Sequence, residues 1–244
     1  MAFETAVVTG ASRGFGRAIA AALVAGGVRV VGIARGEADL LAVREELGEL
    51  FTPLAADATD GKLAEAVLHE HRPGLLVLNA GATPHMAPVQ DQTWETFSRN
   101  WHVDTRHVFA WTRAALREPL APGSVVVSLS SGAALAGSPL SGGYASAKAA
   151  IRYLRGYAAG EAERAGLGLR FLTLLPQLTP ATGLGSAGVA GYAAREGVDP
   201  DEFVRDRQPV LTPEQVAKAV TDLAADPDAA PEHVVGGAGV RPLP

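Results

Sequence analysis

Tyr144 and Lys148 have residue types and a spacing that suit proton transfer. Side chains four residues apart lie on one face of a helix, so the Lys148 ammonium can approach the Tyr144 phenol. A nearby cation favours the phenolate, which makes Tyr144 a candidate general acid or base. A tyrosine and a lysine at this spacing also occur together by chance. Ser131 precedes Tyr144 by thirteen residues and adds a hydroxyl that could hydrogen-bond a substrate carbonyl.

A glycine-rich turn near the N-terminus has the composition of a phosphate-binding loop. It follows a predicted strand, opens a predicted helix and has the spacing G-x-x-x-G-x-G. Glycines let the backbone approach a pyrophosphate, and the free N–H groups of a helix N-terminus attract anions. The spacing differs from the commonest dinucleotide fingerprint, so a tight turn without a ligand is the alternative. The predicted cofactor contacts in the turn are Gly10, Ser12, Arg13, Gly14, Phe15 and Gly16.

The residues after the second and third predicted strands bear on the choice of dinucleotide. An acid after the second strand would bind the ribose 2′-hydroxyl of NAD, whereas an arginine accommodates the 2′-phosphate of NADP. Arg35 stands at that position, and Arg13 lies in the glycine turn. The two arginines favour NADP(H), unless Arg35 is only a solvated residue at a helix start. Asp57 follows the third strand and could accept a hydrogen bond from the adenine amino group or cap the next turn.

Short apolar runs alternate with longer segments rich in Ala, Leu, Glu and Arg. The pattern predicts strands over residues 5–9, 28–33, 51–55, 75–78, 124–129, 169–175 and 233–235. It predicts helices over residues 14–25, 37–47, 62–70, 94–116 and 144–165. Strands that are apolar throughout suit a parallel sheet covered on both faces. The expected fold is therefore α/β, a Rossmann-like doubly wound parallel sheet in three layers, with residues 1–244 as a single domain.

Composition excludes several classes of protein. The chain of 244 residues is 48% hydrophobic and 19% charged, which argues against disorder. It has no cysteine, so a disulfide framework and a thiolate metal site are excluded, and we predict no metal. The net charge of -5 argues against nucleic-acid binding. No apolar run reaches the roughly 20 residues of a membrane span, and no signal peptide precedes the first strand, so we predict a cytoplasmic protein.

Residues 177–211 interrupt the alternation and are rich in Gly, Ala and Pro, with only short helical pieces expected. A long irregular insertion in a compact domain is usually functional, so we predict a substrate lid, with a passive surface loop as the alternative. Thr212 and Pro213 then open a last helix as its N-cap and first residue. The candidate substrate contacts are His85, Leu135 and Tyr192. An apolar or aromatic carbonyl substrate is indicated by Leu135, Leu184, Val189 and Tyr192. Trp94, Trp101 and Trp111 fall on one predicted helix and are expected in the core or at a subunit contact.

The order and spacing of these motifs resemble the short-chain dehydrogenase/reductase family in its shorter single-domain form. The resemblance covers nearly the whole chain and rests on the glycine turn, on Asn79-Ala80-Gly81 after the fourth strand, on Ser131, and on Tyr144 with Lys148. It implies that Tyr144 exchanges a proton with a carbonyl or alcohol oxygen and that Ser131 steadies this oxygen. It also implies that Lys148 binds the nicotinamide ribose, that Asn79, Ala80 and Gly81 form the cofactor's floor, and that the protein is a homodimer or homotetramer.

Two positions depart from the family's pattern. Asp104 stands where the family usually has an asparagine that completes a proton relay to the lysine, and Asn100 and His102 are nearby but out of register. Asp104 could serve in the relay or have a purely structural role. Pro176 is followed by Gln177 instead of glycine, so Gln177 could contact the nicotinamide carboxamide or the substrate, or point to solvent. Thr179 is the preferred candidate for the carboxamide contact.

The expected function is an NADP(H)-dependent oxidoreductase that interconverts a small-molecule carbonyl and an alcohol by hydride transfer. Tyr144 is the expected general acid or base. The alternative is a catalytically silent protein on the same fold that binds NADP(H) as a sensor or scaffold. Turnover of nicotinamide with a panel of carbonyls separates the two.

Overall fold

A computed structural model describes residues 3–117 and 120–244 of the chain. An eight-stranded sheet forms the centre of this part of the chain. Its strands are β1 (Thr5–Thr9), β2 (Arg29–Ala34), β3 (Phe51–Ala55), β4 (Leu75–Leu78), β5 (Val125–Leu129), β6 (Arg170–Pro176), β7 (Glu232–Gly236) and β8 (Gly239–Pro242). Their spatial order is β3-β2-β1-β4-β5-β6-β7-β8. Neighbours from β3 to β7 pair in parallel, and β8 pairs antiparallel with β7. The predicted doubly wound parallel sheet is therefore confirmed.

Helices connect the strands and cover both faces of the sheet. They are α1 (Gly14–Ala25), α2 (Glu37–Leu47), α3 (Gly61–His71), α4 (Trp94–Asn100), α5 (Arg106–Arg117), α6 (Ala133–Ala136), α7 (Gly142–Arg164), α8 (Gly183–Glu196), α9 (Pro200–Arg205) and α10 (Pro213–Ala225). A short 3₁₀ turn covers Val89–Asp91, and a π-helical turn at Trp101–Thr105 joins α4 to α5. No helix in the described ranges is long and apolar enough to cross a membrane.

Two apolar cores lie on opposite faces of the sheet. Val8 of β1 contributes to the core beneath α1, α2 and α10, whereas its neighbour Val7 contributes to the core beneath α3, α5 and α7. Successive side chains of a strand point to opposite faces, so a strand buried on both faces has to be apolar at every position. Burial of each large aliphatic side chain stabilises the fold by about 1.5–3 kcal/mol. This explains why the apolar runs in the sequence mark the strands.

The structure corrects three expectations about the elements. The helix expected over residues 94–116 is interrupted by the π-helical turn. The region expected to hold only short helical pieces contains α8, a helix of 14 residues, because packing against the body of the domain outweighs the low helix propensity of its glycines. Strand β8 was not predicted, since it is exposed along its whole length and therefore has no alternating pattern.

Details at the ends of elements support the local reasoning. Thr212 caps α10 by accepting a hydrogen bond from the Gln215 N–H, and Pro213 is the first helical residue, as predicted. Trp111 is fully buried, but Trp94 is 75% exposed and Trp101 is 40% exposed, so the expectation of a core position is right for Trp111 alone. A subunit contact at the other two tryptophans stays a prediction.

Candidate active site

A cleft of about 1160 Å³ opens at the carboxyl ends of the central parallel strands. In open α/β sheets this edge binds ligands where the strand order reverses, which here is between β1 and β4. The glycine turn, the segment after β4, the catalytic candidates and the loop after β6 all contribute to its wall. The predicted site residues that line it are Gly10, Ser12, Arg13, Gly14, Phe15, Arg35, Asp57, Asn79, Ala80, Gly81, Asp104, Ser131, Tyr144, Lys148, Pro176, Gln177, Thr179 and Tyr192.

The glycine turn has the geometry that a bound pyrophosphate needs. Gly10 and Gly14 have φ angles of +68° and +56°, which favour residues without a Cβ. Helix α1 starts at Gly14, and its N-cap Arg13 makes no side-chain capping bond, so first-turn N–H groups stay available for a ligand. Gly16 does not line the cleft; it packs against the Gly10 carbonyl within the turn. The turn therefore fits a dinucleotide cofactor.

Thr9 and Asn79 join the glycine turn to the end of β4. The Thr9 hydroxyl accepts hydrogen bonds from the backbone N–H groups of Asn79 and Ala80, at 2.9 and 3.2 Å. The Asn79 amide donates to the carbonyls of Thr9 and Gly10, at 3.0 and 3.3 Å. These bonds tie the glycine turn to the segment after β4, and the role of Asn79, Ala80 and Gly81 as the cofactor's floor stays a prediction.

Charged groups collect at the far end of the glycine turn. Arg13 and Arg35 are exposed and both line the cleft. Asp57 accepts a hydrogen bond from the Thr59 N–H at 2.9 Å, so it caps a turn, the second of its two expected roles. That backbone bond holds the pKa of Asp57 below its ordinary value, and the Thr59 side chain, Arg35 and Arg106 add to the effect.

Helix α7 places Tyr144 and Lys148 one turn apart at the cleft. The Lys148 Nζ lies 5.5 Å from the centre of the Tyr144 ring and donates to the Leu129 carbonyl at 3.1 Å. Ser130, which the sequence did not single out, donates to the Lys148 carbonyl at 2.8 Å and so ties α7 to the end of β5. The Ser131 hydroxyl accepts from the Ala133 N–H at 3.2 Å. Its own hydrogen can therefore point to a ligand.

Asp104 lies beneath α7 in a fully buried position. Its Oδ2 forms an ion pair with Lys148 Nζ at 3.2 Å, and its Oδ1 accepts from the Ala82 N–H at 2.8 Å. A Cβ at Gly81 would lie 2.9 Å from Oδ2, so glycine at this position makes room for the carboxylate. Burial opposes the charge of Lys148, but Asp104 and then Tyr144 outweigh it and raise the pKa of Lys148 above its ordinary value.

The π-helical turn that carries Asp104 is fastened to α7 at the two residues that precede Lys148. The Trp101 indole donates to the Ser146 hydroxyl at 2.9 Å, and the Thr105 hydroxyl donates to the Ala147 carbonyl at 3.3 Å. Asn100 is buried and donates to the Ala82 carbonyl at 2.8 Å, with Asp104 Oδ1 at 3.4 Å. Asn100 therefore supports the cluster, although it is out of register with the family's asparagine.

Comparison with known proteins identifies the family. A family model described as short chain dehydrogenase matches residues 4–186. The chain belongs to the short-chain dehydrogenase/reductase family. Membership supports a nicotinamide-dependent oxidoreductase, in agreement with the cleft described above.

Relatives within the short-chain dehydrogenase/reductase family are similar over part or all of the chain. Carbonyl reductase [NADPH] 2 of Sus scrofa is 35% identical over 124 residues, 50% of each chain. L-xylulose reductase of Bos taurus is 33% identical over 153 residues, 62% of each chain. The chain thus spans half to three fifths of the length of these curated relatives. The crystal structure of a 3-ketoacyl-(acyl-carrier-protein) reductase from Brucella melitensis, complexed with NADH, is 25% identical with a TM-score of 0.75 and covers 93% of this chain and 92% of its own.

Several predicted contacts of this short-chain dehydrogenase/reductase lie elsewhere than expected. His85 and Leu135 are exposed and do not line the cleft; their neighbours Met86 and Ala136 do. Val189 is buried in a small core between α8 and α9.

The segment after β6 is held by its own polar contacts. The Thr179 hydroxyl donates to the Leu211 carbonyl at 2.5 Å and accepts from the Ala181 N–H, so its hydrogen is committed within the protein. The Thr179 carboxamide contact therefore stays a prediction that requires this bond to rearrange. Gln177 lies over Gly236, where a Cβ would be 3.0 Å from the Gln177 Cδ. Its side chain is exposed at the cleft, and the choice between a cofactor and a substrate contact stays a prediction.

His107 is a buried histidine at the cleft that the sequence did not single out. It is fully buried on α5, beside the Ala80 backbone. Burial, and after it the charge of Lys148, lowers the pKa of His107 to about 3. The ring is therefore neutral in the folded protein at ordinary pH.

This histidine should make the fold sensitive to acid. On unfolding, His107 regains its ordinary pKa of 6.5 and binds a proton that the folded protein excludes down to about pH 3. Stability should therefore fall with decreasing pH across this window, by up to about 1.4 kcal/mol per pH unit from this residue. We expect the urea unfolding free energy of His107→Gln to depend less on pH than that of the parent. His85→Gln, at an exposed position, is the matched control. Parallel curves for the parent and His107→Gln would contradict this origin of acid sensitivity.

Proposed function

We propose that the protein is an NADP(H)-dependent oxidoreductase that interconverts a carbonyl and an alcohol. The observation that carries the proposal is the joint position of Ser131 and Tyr144 at one cleft, with the charged Lys148 beside the Tyr144 ring. The names of the pig and cattle relatives, a carbonyl reductase and a xylulose reductase, support the same reaction class.

The chemistry divides between the cofactor and the side chains. When bound, the nicotinamide supplies or accepts the hydride. The Ser131 hydroxyl orients the substrate oxygen, and the Tyr144 phenol moves a proton to or from it. Lys148 stays an ammonium because Asp104 is paired with it, and this charge favours the Tyr144 phenolate.

Backbone groups of the glycine turn would hold the pyrophosphate of the cofactor, and side chains near this turn would hold the adenosine end. N–H groups at the start of α1 would bind the pyrophosphate, and Arg13 and Arg35 would bind a 2′-phosphate. Asn79, Ala80 and Gly81 form the floor. In this arrangement the two exposed arginines determine the preference for NADP(H) over NAD(H).

Arg35→Asp should reverse this preference. A charge-assisted contact to phosphate contributes on the order of 1.5–3 kcal/mol, so its loss should weaken NADPH binding roughly tenfold or more, while NADH binding is kept or improved. The measurement is the dissociation constant of each reduced cofactor by fluorescence titration. Arg241→Asp, on the exposed edge strand β8, is the matched control. Equal affinities for NADPH and NADH in the parent would contradict the assignment.

The function itself is tested with the purified protein, NADPH and a panel of aldehydes and ketones. We expect loss of reduced-nicotinamide absorbance with at least one carbonyl, and its gain with the matching alcohol and NADP⁺. Tight cofactor binding without turnover on any member would instead favour the silent sensor or scaffold.

We also propose that α8 and α9 act as a substrate lid and that the protein is a homodimer or homotetramer. The lid has its own small core of Val189, Ala193 and Phe203. The exposed aromatic residues Trp94 on α4 and Phe109 on α5 support a subunit contact. A cytoplasmic location stays a prediction.

A further inference from the structure

Three hydroxyl groups meet where α8 approaches the loop before α7. The Tyr192 hydroxyl of α8 lies 2.5 Å from Ser138 Oγ and 3.3 Å from Ser141 Oγ. Ser141 is the N-cap of α7, so it stands three residues before Tyr144. Ser141 and Tyr192 line the same cleft as Tyr144 and Ser131. The cluster therefore borders the space in which a substrate would lie.

The hydrogen bonds of this cluster leave one donor, the Tyr192 hydroxyl, with a long bond that a ligand could replace. Ser138 Oγ accepts from the Ser141 hydroxyl at 2.7 Å, from the Ser141 N–H at 2.9 Å and, at the longer distance of 3.4 Å, from the Leu140 N–H. A hydroxyl oxygen has two lone pairs, so Ser138 must donate its own hydrogen to the Tyr192 oxygen. Among the described residues the hydrogen of Tyr192 then has Ser141 Oγ as its acceptor, at 3.3 Å, a longer bond than the other two and one that a ligand oxygen could replace.

The rest of the lid holds the Tyr192 hydroxyl in place. The Tyr192 ring stacks on Phe203 of α9, with centroids 6.4 Å apart and planes 15° apart. The Arg207 guanidinium lies 3.5 Å from the centre of the Phe203 ring and is paired with Glu196 at 2.9 Å. This donor is thus positioned before a ligand binds, which reduces the entropy lost on binding.

Glycines on one face of α8 bring the helix close to the body of the domain. A Cβ at Gly188 would lie 3.1 Å from Leu178, and a Cβ at Gly191 would lie 3.0 Å from Met86. Met86, Leu184 and Pro139 also line the cleft, so the available donor lies in a mostly apolar part of the wall. A donor in such surroundings discriminates strongly between ligands that can and cannot accept its hydrogen.

We propose that the Tyr192 hydroxyl forms a substrate subsite that donates a hydrogen bond to a second oxygen of the carbonyl substrate. The substrate class is a carbonyl compound with a distal hydroxyl, carbonyl or ether oxygen, rather than a purely apolar or aromatic ketone. This inference rests on the proposed function, because the reacting carbonyl has to lie at Tyr144 and Ser131.

The test compares ketones that differ by one oxygen. The pairs are cyclohexane-1,4-dione with cyclohexanone, 4-hydroxy-2-butanone with 2-butanone, and 5-hydroxy-2-pentanone with 2-pentanone. For at least one pair we expect the parent to favour the oxygenated member by roughly tenfold in kcat/KM. This is the effect of one hydrogen bond from Tyr192 that the oxygenated ketone makes and the plain ketone cannot make. Tyr192→Phe should abolish this preference and leave the plain ketone within about twofold of the parent.

Two outcomes would overturn the subsite. One is the absence of any preference in the parent. The other is an equal loss for both members of each pair in Tyr192→Phe, which would mean that the hydroxyl serves only to fasten the lid. Tyr153→Phe, the same change at a side chain that is 72% exposed, is the matched control and should keep the parent's preference.

Binding without turnover separates this inference from the proposed function. The probes are cyclohexane-1,4-diol and cyclohexanol, added to the parent and to Tyr192→Phe in the presence of saturating NADP⁺ and followed by thermal shift. If no carbonyl is reduced but the diol stabilises only the parent, the subsite stands and the proposed function fails. If carbonyls are reduced but neither the kinetic preference nor the diol shift depends on Tyr192, the function stands and the subsite is overturned. If there is neither turnover nor a Tyr192-dependent shift, both are overturned.

Discussion

Tyr144→Phe should lower turnover by at least roughly a hundredfold and leave cofactor binding nearly unchanged. The substitution removes the transferable proton of the phenol, while the ring that packs beside Lys148 is kept. Lys148 still has the Leu129 carbonyl and Asp104 as partners, so the cluster beneath the helix should stay assembled. The measurements are kcat with the best carbonyl of the panel and the dissociation constant of NADPH.

A matched control lies on the same helix. Tyr157→Phe makes the same chemical change on α7 at a side chain that is 71% exposed, and we expect parental turnover. A Tyr144→Phe enzyme with activity within a few-fold of the parent would show that another group moves the proton. A loss of NADPH affinity as large as the loss of turnover would instead assign Tyr144 a mainly structural role at the cleft.

Local pattern accounts for the parts of the molecule that the sequence predicts correctly. Strands β1 and β4 are buried on both faces, so every position is apolar or small, and a continuous apolar run identifies them. The glycine turn needs positive φ at Gly10 and Gly14, which few other residues adopt. Tyr144 and Lys148 are joined by one helical turn, so their proximity follows from spacing alone.

Tertiary packing accounts for what the sequence did not predict. Asn100 and Ser130 act through backbone carbonyls that are distant in the chain, so no local pattern marks them. The π-helical turn is held by hydrogen bonds from Trp101 and Thr105 to α7. Helix propensity does not predict such a turn, because it depends on these tertiary contacts. Tyr192 was a candidate by its place in the lid, but its available hydrogen is visible only once Ser138 and Ser141 are beside it.

Asp104 makes contacts that suit both of the roles that the sequence left open, and its part in the relay stays a prediction. Its Oδ1 fixes backbone by accepting from the Ala82 N–H, and its Oδ2 neutralises the buried Lys148 ammonium. Asp104→Asn separates them, because an amide oxygen can still accept from Ala82 while the negative charge is lost at nearly the same volume. The variant therefore asks what the charge alone contributes.

We expect Asp104→Asn to move the alkaline limb of the kcat/KM profile to lower pH. In the parent, Asp104 and Tyr144 overcome the effect of burial and raise the pKa of Lys148, so the ammonium persists to high pH. Without Asp104, burial dominates, the pKa of Lys148 falls, and the support that the ammonium gives to the Tyr144 phenolate is lost at a lower pH.

The raised pKa of Lys148 also links the ion pair to stability. The pair stabilises the fold at pH values below the ordinary lysine pKa, and this stabilisation is lost as pH rises through the pKa that Lys148 has in the folded protein. Breaking such a buried pair is expected to cost about 3–5 kcal/mol at neutral pH, and less at high pH.

The pH profile is the readout that decides the role of Asp104, since a structural residue alone would lower stability without moving it. Asp60→Asn is the matched control, because Asp60 caps α3 through the Lys62 N–H and lies outside the cleft. Asparagine caps a helix about as well as aspartate, so this variant makes the same chemical change outside the cleft and should keep both stability and the alkaline limb nearly unchanged. An Asp104→Asn profile that superimposes on the parent's would remove the carboxylate from the mechanism and leave it as an anchor for Ala82. A shifted limb in Asp104→Asn, with none in Asp60→Asn, would mean that this chain keeps its lysine charged by direct contact with a buried carboxylate.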